Sequence, residues 1–296
     1  MKNDWERIDG KRVVLTGATS GIGRATARAL SQLGAHLMLV SRNRNEGIAL
    51  ARDLMKRSPG ISVEFFPTDL SSPSQVRQTA AQIGERWPAI DGLINNAGAR
   101  FDHYDRTPEN CERTFATNHL GAFLLTGLLL EHLAAAPAAR IITVSSSASS
   151  QAKPDGRWQF EAHDFDRRQA YAISKLANLL FAFELARRLR GGTVQSLAVD
   201  PGVVATRFAR NNGLLAWLKH VVAHGRKLEL RTPAGGADTL VFLATIPSLP
   251  PHETEGYFRD RKAIRACAAA YDAAASSALW KMSVKLTGID PAAGSA

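Results

Sequence analysis

Tyr171 and Lys175 stand four positions apart in the run Tyr171-Ala172-Ile173-Ser174-Lys175. On a helix, positions four apart share one face, with Cβ atoms roughly 5–6 Å apart. A phenol and an ammonium are then neighbours. The positive charge favours the phenolate, so it is expected to lower the phenol's pKa from its usual value of about 10. A drop of about three units asks for roughly 4 kcal/mol of differential stabilisation. A phenol tuned in this way gives a proton to a carbonyl oxygen, or takes one from an alcohol, near neutral pH. Ordinary surface helices carry the same spacing, so the reading depends on what accompanies it.

The first companion lies near the N-terminus. Val13-Val14-Leu15 reads as a buried strand, and Ile22, Ala25, Ala29, Leu30 and Leu33 recur at helical spacing until Gly34 ends the helix. Between them runs Thr16-Gly17-Ala18-Thr19-Ser20-Gly21-Ile22-Gly23. A strand, a glycine loop and a helix in this order form a phosphate cradle. Gly17 permits a tight turn, Gly21 lets the backbone approach a pyrophosphate, and Gly23 lets the helix pack close to the sheet. Thr19, Ser20 and Ile22 complete the loop.

The end of the second strand, His36 to Val40, selects the dinucleotide. An NAD site places Asp or Glu there against the ribose 2′-hydroxyl. This chain has Ser41-Arg42-Asn43-Arg44 instead. A guanidinium suits a 2′-phosphate through charge-assisted bonds, so NADP (NADPH) is expected ahead of NAD.

The alternation continues. Ala49 to Arg57 reads as a helix, and Val63 to Phe66 as a third strand closed by Thr68-Asp69-Leu70. Ser74 to Trp87 is a helix, and Leu93-Ile94 a fourth strand running into Asn95-Asn96-Ala97-Gly98. Thr114 to His132 is one long helix carrying Asn118. Arg140 to Val144 is a fifth strand ending in Ser145-Ser146-Ser147. Gln151 to Gln169 reads as a functional loop. The helix of Tyr171 follows, with Leu176, Leu179, Leu180 and Phe183 as its buried stripe. Val194 to Val199 is a sixth strand leading to Asp200-Pro201-Gly202-Val203-Val204-Ala205-Thr206. Pro233 to Thr245 is a helix and Gly256 to Phe258 a last strand. The expected fold is α/β: a single doubly wound domain over 1–296, with about seven parallel strands and helices on both faces. A helical tail runs from about 260 and frays after Asp290. Residues 203–232 mix Phe208, Leu214, Leu215, Trp217 and Leu218 with basic side chains. They read as a lid over an apolar substrate, with a membrane-resting patch as the less favoured alternative.

The bulk numbers set limits. The chain has 296 residues, 45% hydrophobic and 22% charged, which is globular composition. Two cysteines, Cys111 and Cys267, make neither a disulfide framework nor a metal cluster and fit a cytoplasmic setting. Met1 to Gly10 has no apolar core, so no signal peptide is read there. The net charge of +10 raises the question of nucleic acid, yet Arg and Lys are scattered without a basic run of five. No nucleic-acid partner and no metal are expected.

Taken together, T-G-x-x-x-G-x-G at Thr16–Gly23, N-N-A-G at Asn95–Gly98, Asn118, the serine after the fifth strand, Y-x-x-x-K at Tyr171–Lys175 and P-G-x-x-x-T at Pro201–Thr206 resemble the short-chain dehydrogenase/reductase family with its Rossmann fold. Asn118-His119-Leu120-Gly121, Ser174-Lys175-Leu176-Ala177-Asn178, Leu279-Trp280, Ser283 and Leu286 point to the retinol-dehydrogenase-like branch. The resemblance implies roles. Tyr171 is the proton donor or acceptor, and Lys175 lowers its pKa and holds the nicotinamide ribose. Ser146, flanked by Ser145 and Ser147, bonds the substrate oxygen. Asn118 holds a water linking Lys175 to solvent. Asn95, with Ala97 and Gly98, belongs to the cofactor wall, and Asp69 with Leu70 binds the adenine. Pro201, Gly202, Val203 and Thr206 lie along the nicotinamide. Asp200 is a departure, since that branch usually shows His. The implied activity is NADP(H)-dependent hydride transfer to or from a small carbonyl or alcohol substrate, with a lipophilic one hinted by Phe208, Leu214 and Trp217. The alternatives are a non-catalytic NADP-binding regulator or scaffold, a nucleotide-sugar epimerase or dehydratase, and a nucleic-acid binder. The second fits poorly, because its first glycines are usually two residues apart rather than three. Monomer, homodimer and homotetramer stay open.

Overall fold

The structure is a computed structural model and describes residues 5–204, 230–249 and 256–292. Seven strands run parallel: β1 (Arg12–Thr16), β2 (His36–Ser41), β3 (Val63–Pro67), β4 (Gly92–Asn95), β5 (Ala139–Val144), β6 (Val194–Val199) and β7 (Tyr257–Arg259). An eighth, β8 (Lys262–Ala263), pairs antiparallel with β7. The order is β3-β2-β1-β4-β5-β6-β7-β8. The sequence reading stops at seven, because the hairpin joining β7 to β8 lacks the usual glycine or asparagine. Asp260 and Arg261 take positive φ of 55° and 62° in its place.

β1 pairs with both β2 and β4, so the strand order reverses there. A crevice opens at the carboxyl ends of β1 and β4, where a sheet of this kind takes its ligand. The strands alternate their side chains between two faces. Val13 and Leu15 join Leu37, Leu39, Ile94 and Ile142 under helices α1 (Gly21–Gln32) and α2 (Arg44–Arg57). The helix Pro233–Thr245, α7 here, covers the same face through Leu240 and Leu243. Val14, Met38, Val40, Leu93 and Ile141 face the other way. They pack on α3 (Pro73–Arg86), α5 (Gly121–Ala134), α6 (Arg167–Arg188) and the tail helix α8 (Ala273–Thr287). Both faces of a parallel sheet must be covered, and each large side chain buried there contributes roughly 1.5–3 kcal/mol.

Three helices differ from the sequence reading. The tail helix starts at Ala273 rather than about 260, because β8 and a 3₁₀ turn over Ala268–Tyr271 come first. α2 starts at Arg44, not Ala49, because the Asn43 side chain caps it by accepting the Glu46 N–H at 3.1 Å. The helix expected over 114–132 is continuous, but its winding changes along the way. A single turn, α4 (Arg113–Phe115), is capped by the Glu112 carboxylate, which accepts the N–H groups of Thr114 and Phe115 at 2.7 and 3.0 Å. A π-turn over Ala116–Leu120 follows before α5 begins. Such turns re-aim side chains and gather at functional sites; this one carries Asn118.

The tail is fastened down. Buried Glu184 of α6 accepts bonds from Arg188 at 2.6 Å and from Ser276 of α8 at 3.4 Å. Asp290, where fraying was expected to begin, accepts the Trp280 indole N–H at 3.1 Å and the Ala292 N–H at 3.0 Å. Residues 290–292 are therefore tied to α8. Val204 bridges Arg231 at the root of the expected lid. Thr206, Phe208, Leu214, Leu215, Trp217 and Leu218 lie outside the described residues. Among the described residues, no helix is long and apolar enough to cross a membrane.

Candidate active site

The glycine loop leaves β1 and enters α1 across the crevice. Gly17 has φ of 67° and Gly21 of 50°, both in the left-handed region that favours glycine. A Cβ on Gly23 would lie 2.1 Å from the Gly17 carbonyl oxygen, and one on Gly17 would lie 2.8 Å from the Ala97 Cα. The space for side chains has been given up to a tight backbone cradle. Ser20 is the N-cap of α1, is exposed, and makes no side-chain capping bond. The first N–H groups of the helix are thus left for an anion, which fits a dinucleotide pyrophosphate. Ile22 is half-buried at the start of the same helix. The Thr19 hydroxyl bonds the Ser41 hydroxyl at 2.8 Å and ties the loop to the end of β2. Arg42 is next, exposed, and makes no ion pair among the described residues.

Asp69 and Leu70 follow β3. One carboxylate oxygen of Asp69 accepts the Ser71 N–H and hydroxyl at 2.9 and 2.7 Å, while buried Leu70 packs in the core. Asn95 turns inward and donates to the Thr126 hydroxyl of α5 at 2.9 Å. Its neighbour Asn96, which the sequence reading passed over, laces the cradle together. Its amide donates to the Thr16 carbonyl at 2.8 Å, while its backbone N–H and that of Ala97 both donate to the Thr16 hydroxyl at 3.0 Å.

The π-turn aims Asn118 at the loop after Gly98. Its side chain accepts the Ala99 N–H at 2.7 Å and donates to the Ala99 carbonyl at 2.8 Å. The same amide donates to the Ser174 hydroxyl at 2.9 Å. Asn118 therefore joins the β4 loop to α6. A methyl group at Gly98 would stand 3.2 Å from Lys175 Nζ and 3.7 Å from Asn118 Oδ1, so the glycine lets these elements close without pushing the ammonium aside.

α6 begins at an N-cap, Asp166, whose carboxylate accepts the Arg168 and Gln169 N–H groups at 2.7 and 3.2 Å. This fixes the rotation of the helix and points Tyr171 and Lys175 at the end of β5. Lys175 is 3% exposed and donates to the Val144 carbonyl at 3.0 Å, as does Asn178 at 3.1 Å. Of the three serines after β5, Ser145 is buried and donates to the Lys175 carbonyl at 2.8 Å, and Ser147 is exposed. Ser146 hydrogen-bonds the Tyr171 hydroxyl. Pro201, Gly202 and Val203 border this region at the carboxyl end of β6.

The electrostatics depart from the sequence expectation. Burial pushes the Tyr171 phenol up to about 12; the Ser146 bond and the Arg100 charge pull it down, and the Asp200 charge adds to the rise. Lys175 is brought down to about 8, chiefly by burial, with Asp200 opposing. The expected drop in the phenol's pKa is thus reversed in the protein alone. Nζ stands 5.8 Å from the centre of the Tyr171 ring and is turned to a carbonyl, and both groups are dehydrated together.

Glycine cradle, serine, tyrosine and lysine thus lie along one edge of the sheet, and the sequence profile described as short chain dehydrogenase matches residues 11–214. The chain belongs to the short-chain dehydrogenase/reductase family. It is accordingly an oxidoreductase. Human retinol dehydrogenase 12 is 36% identical over 284 residues, covering 96% of this chain and 88% of that protein. Among solved structures, an uncharacterised protein from Mycobacterium paratuberculosis is 31% identical with a TM-score of 0.77, covering 97% of both chains. A short-chain dehydrogenase from Burkholderia cenocepacia, solved in complex with NADP, shares the fold at 22% identity and a TM-score of 0.66, covering 81% of this chain and 93% of that one. In this dehydrogenase/reductase Asp200 is fully buried and bonded to Arg259. The sequence marked the position but held no sign of its partner.

Proposed function

We propose that the protein is an NADP(H)-dependent oxidoreductase that transfers hydride between the nicotinamide and the carbonyl or alcohol carbon of a lipophilic small molecule. The observation that carries this reading is the Ser146–Tyr171 hydroxyl pair beside buried Lys175, on the sheet edge that also bears the glycine cradle. When bound, the dinucleotide supplies the hydride. The chain supplies position and the proton. Tyr171 gives its proton to the substrate oxygen, and Ser146 donates a hydrogen bond to the same oxygen, so charge developing there is stabilised. A phenol that keeps its proton through neutral pH is the form carbonyl reduction needs. Lys175 holds the nicotinamide ribose. Asn118, across Gly98 from Lys175, seats the water through which that proton is replaced.

Thr19, Ser20, Gly21, Ile22 and Gly23 cradle the pyrophosphate. Asp69 and Leu70 meet the adenine, while Asn95, Ala97 and Gly98 form the wall of the site. Pro201, Gly202 and Val203 meet the nicotinamide end, a role the family resemblance also implies for Thr206. The lipophilic substrate is supported by the name of the retinol dehydrogenase relative. Incubating the protein with NADPH and a panel of long-chain, polyene and polycyclic carbonyls is expected to consume the dihydronicotinamide absorbance, and NADH to do so more slowly. Tight NADPH binding with no turnover over the whole panel would sink the reading.

The preference for NADP rests on Arg42, which stands at the end of β2 where an NAD site has a carboxylate. Arg42→Ala is expected to raise KM for NADPH at least tenfold, about 1.4 kcal/mol, and to leave KM for NADH within twofold. Equal changes for the two dinucleotides would remove Arg42 from the 2′-phosphate site.

A further inference from the structure

Asp200 is the first residue after β6, and its side chain is wholly buried. A carboxylate so placed costs several kcal/mol of desolvation, which its partners must offset. Its partners are unusual in where they lead. One oxygen accepts the Gly202 N–H at 2.8 Å, inside the turn that borders the proposed nicotinamide site. The other pairs with Arg259 of β7, and the Tyr257 hydroxyl of the same strand donates to the carboxylate. The Asp200 backbone N–H bonds the Phe258 carbonyl at 2.9 Å. Gly202 has φ of 74°, and the Arg231 side chain lies over it, so close that a Cβ there would meet Nε at 2.8 Å. Arg231 in turn pairs with Asp260 at 2.6 Å. The turn is therefore held from both sides, by a buried acid below and a guanidinium above.

We propose that Asp200 is a positioning residue of the hydride-transfer site: its buried carboxylate fixes the Pro201–Gly202 turn and is the counter-charge to Lys175. This role rests on the reading of Tyr171 and Lys175 given above. The groups facing Lys175 come from every side. Val144 of β5 offers a carbonyl, Gly98 leaves room, and Asn118 is neutral. Tyr171 and Asn178 lie on its own helix. Val144, whose carbonyl takes Nζ, is in register with Val199 of β6, so Asp200 leaves the neighbouring strand at the level of Lys175, and its charge works against burial there. Tyr171 faces the neutral Ser146, the cation Arg100 and the anion Asp200. Arg259 tempers Asp200 without cancelling it, because its guanidinium is 37% exposed and screened by water while the carboxylate is not. Tyr257 adds no charge at neutral pH, since burial and Asp200 hold its phenol far above its usual range.

The sign of the effect follows. Carbonyl reduction needs Tyr171 protonated, and Lys175 charged beside it. Removing the negative charge makes both groups lose their protons at lower pH. Asp200→Asn keeps the shape and can still accept the Gly202 N–H. Its kcat/KM for carbonyl reduction with NADPH is expected to lose its alkaline limb at a pH lower by on the order of one unit. Tyr257→Phe, which removes a hydrogen bond but no charge, is expected to leave the limb within about 0.2 units of wild type. A role confined to holding the turn would change KM for NADPH and leave the limb of both variants in place, and that result overturns the proposal. Should Asp200→Asn not fold, Arg259→Gln reads the same field with the opposite sign: the limb moves alkaline, and a limb unmoved there is equally fatal. Tyr171→Phe, run in parallel, separates the two readings. If it turns over like wild type, the site itself is misread and Asp200 falls with it. If it is inactive while the limb of Asp200→Asn is unmoved, only Asp200 is misassigned.

Discussion

Tyr171→Phe is expected to lower kcat by about 10³-fold or more while leaving NADPH affinity within a few-fold of wild type. Positioned acid–base groups contribute typically 10²–10⁴-fold. A donor aimed at a developing oxyanion is worth about 10²–10³. Tyr171 is read as both, and its replacement by Phe keeps the ring and removes only the hydroxyl. The ring should go on packing beside Lys175, whose Nζ stands 5.8 Å from its centre. The loss should therefore appear in kcat and kcat/KM equally, the mark of an interaction made only in the transition state. Fluorescence titration of NADPH, paired with steady-state rates on one carbonyl substrate, checks both halves. Activity within tenfold of wild type would remove Tyr171 from the chemistry. A parallel loss of NADPH binding would make it a cofactor ligand instead.

What the sequence made legible follows from how a doubly wound sheet works. In this fold the chemistry sits just after strands, so a motif's place along the chain gives its place in space. Gly17 to Gly23 after β1, Asn95 to Gly98 after β4, Ser146 after β5 and Pro201-Gly202 after β6 all reach one edge for that reason. The local spacing of Tyr171 and Lys175 survives too, because four residues on a helix fix their relation. Other features depend on partners far along the chain. Asp200 meets Arg259 across 59 residues, and Asn118 meets Ser174 across 56. No period in the sequence encodes either meeting. Burial was the larger omission. Spacing alone put an ammonium beside a phenol and predicted a lowered pKa. The structure dehydrates both groups, and desolvation decides both shifts even with the other charges counted. The choice of Ser146 over its neighbours Ser145 and Ser147 comes from the family resemblance, not from spacing. The alternation of side chains along an extended backbone decides it, and the strand had to be placed before that alternation had a direction.

His119 offers the largest effect on stability. Acid is expected to destabilise the protein between pH 6.5 and about 3 with a slope that this one residue steepens by about 1.4 kcal/mol per pH unit. The imidazole is 0% exposed and sits among the rings of Phe115, Phe123 and Phe181, at 5.0, 6.0 and 6.0 Å. Burial brings its pKa down from 6.5 to about 3; Asn178 alongside favours the charged form slightly, although Nδ1 itself has no partner in hydrogen-bond geometry. Ser283 Oγ donates to the Leu279 carbonyl at 2.8 Å, so it accepts from Nε2–H at 2.8 Å and the ring is the neutral Nε2–H tautomer. The folded state refuses a proton that the unfolded chain accepts below pH 6.5. Unfolding therefore takes up that proton, and stability is full above pH 6.5 and falls as the pH drops towards 3. Over the whole window the loss is on the order of 5 kcal/mol, and at pH 4 about 3 kcal/mol. His119 also ties the π-turn of Asn118 to α8 through Ser283. Urea unfolding at pH 7.5, 6, 5 and 4 measures the slope, with His119→Gln as the reference that cannot take the proton. The difference between the two proteins is expected to grow as the pH falls. Parallel slopes in wild type and His119→Gln would show that this imidazole is already hydrated in the folded protein.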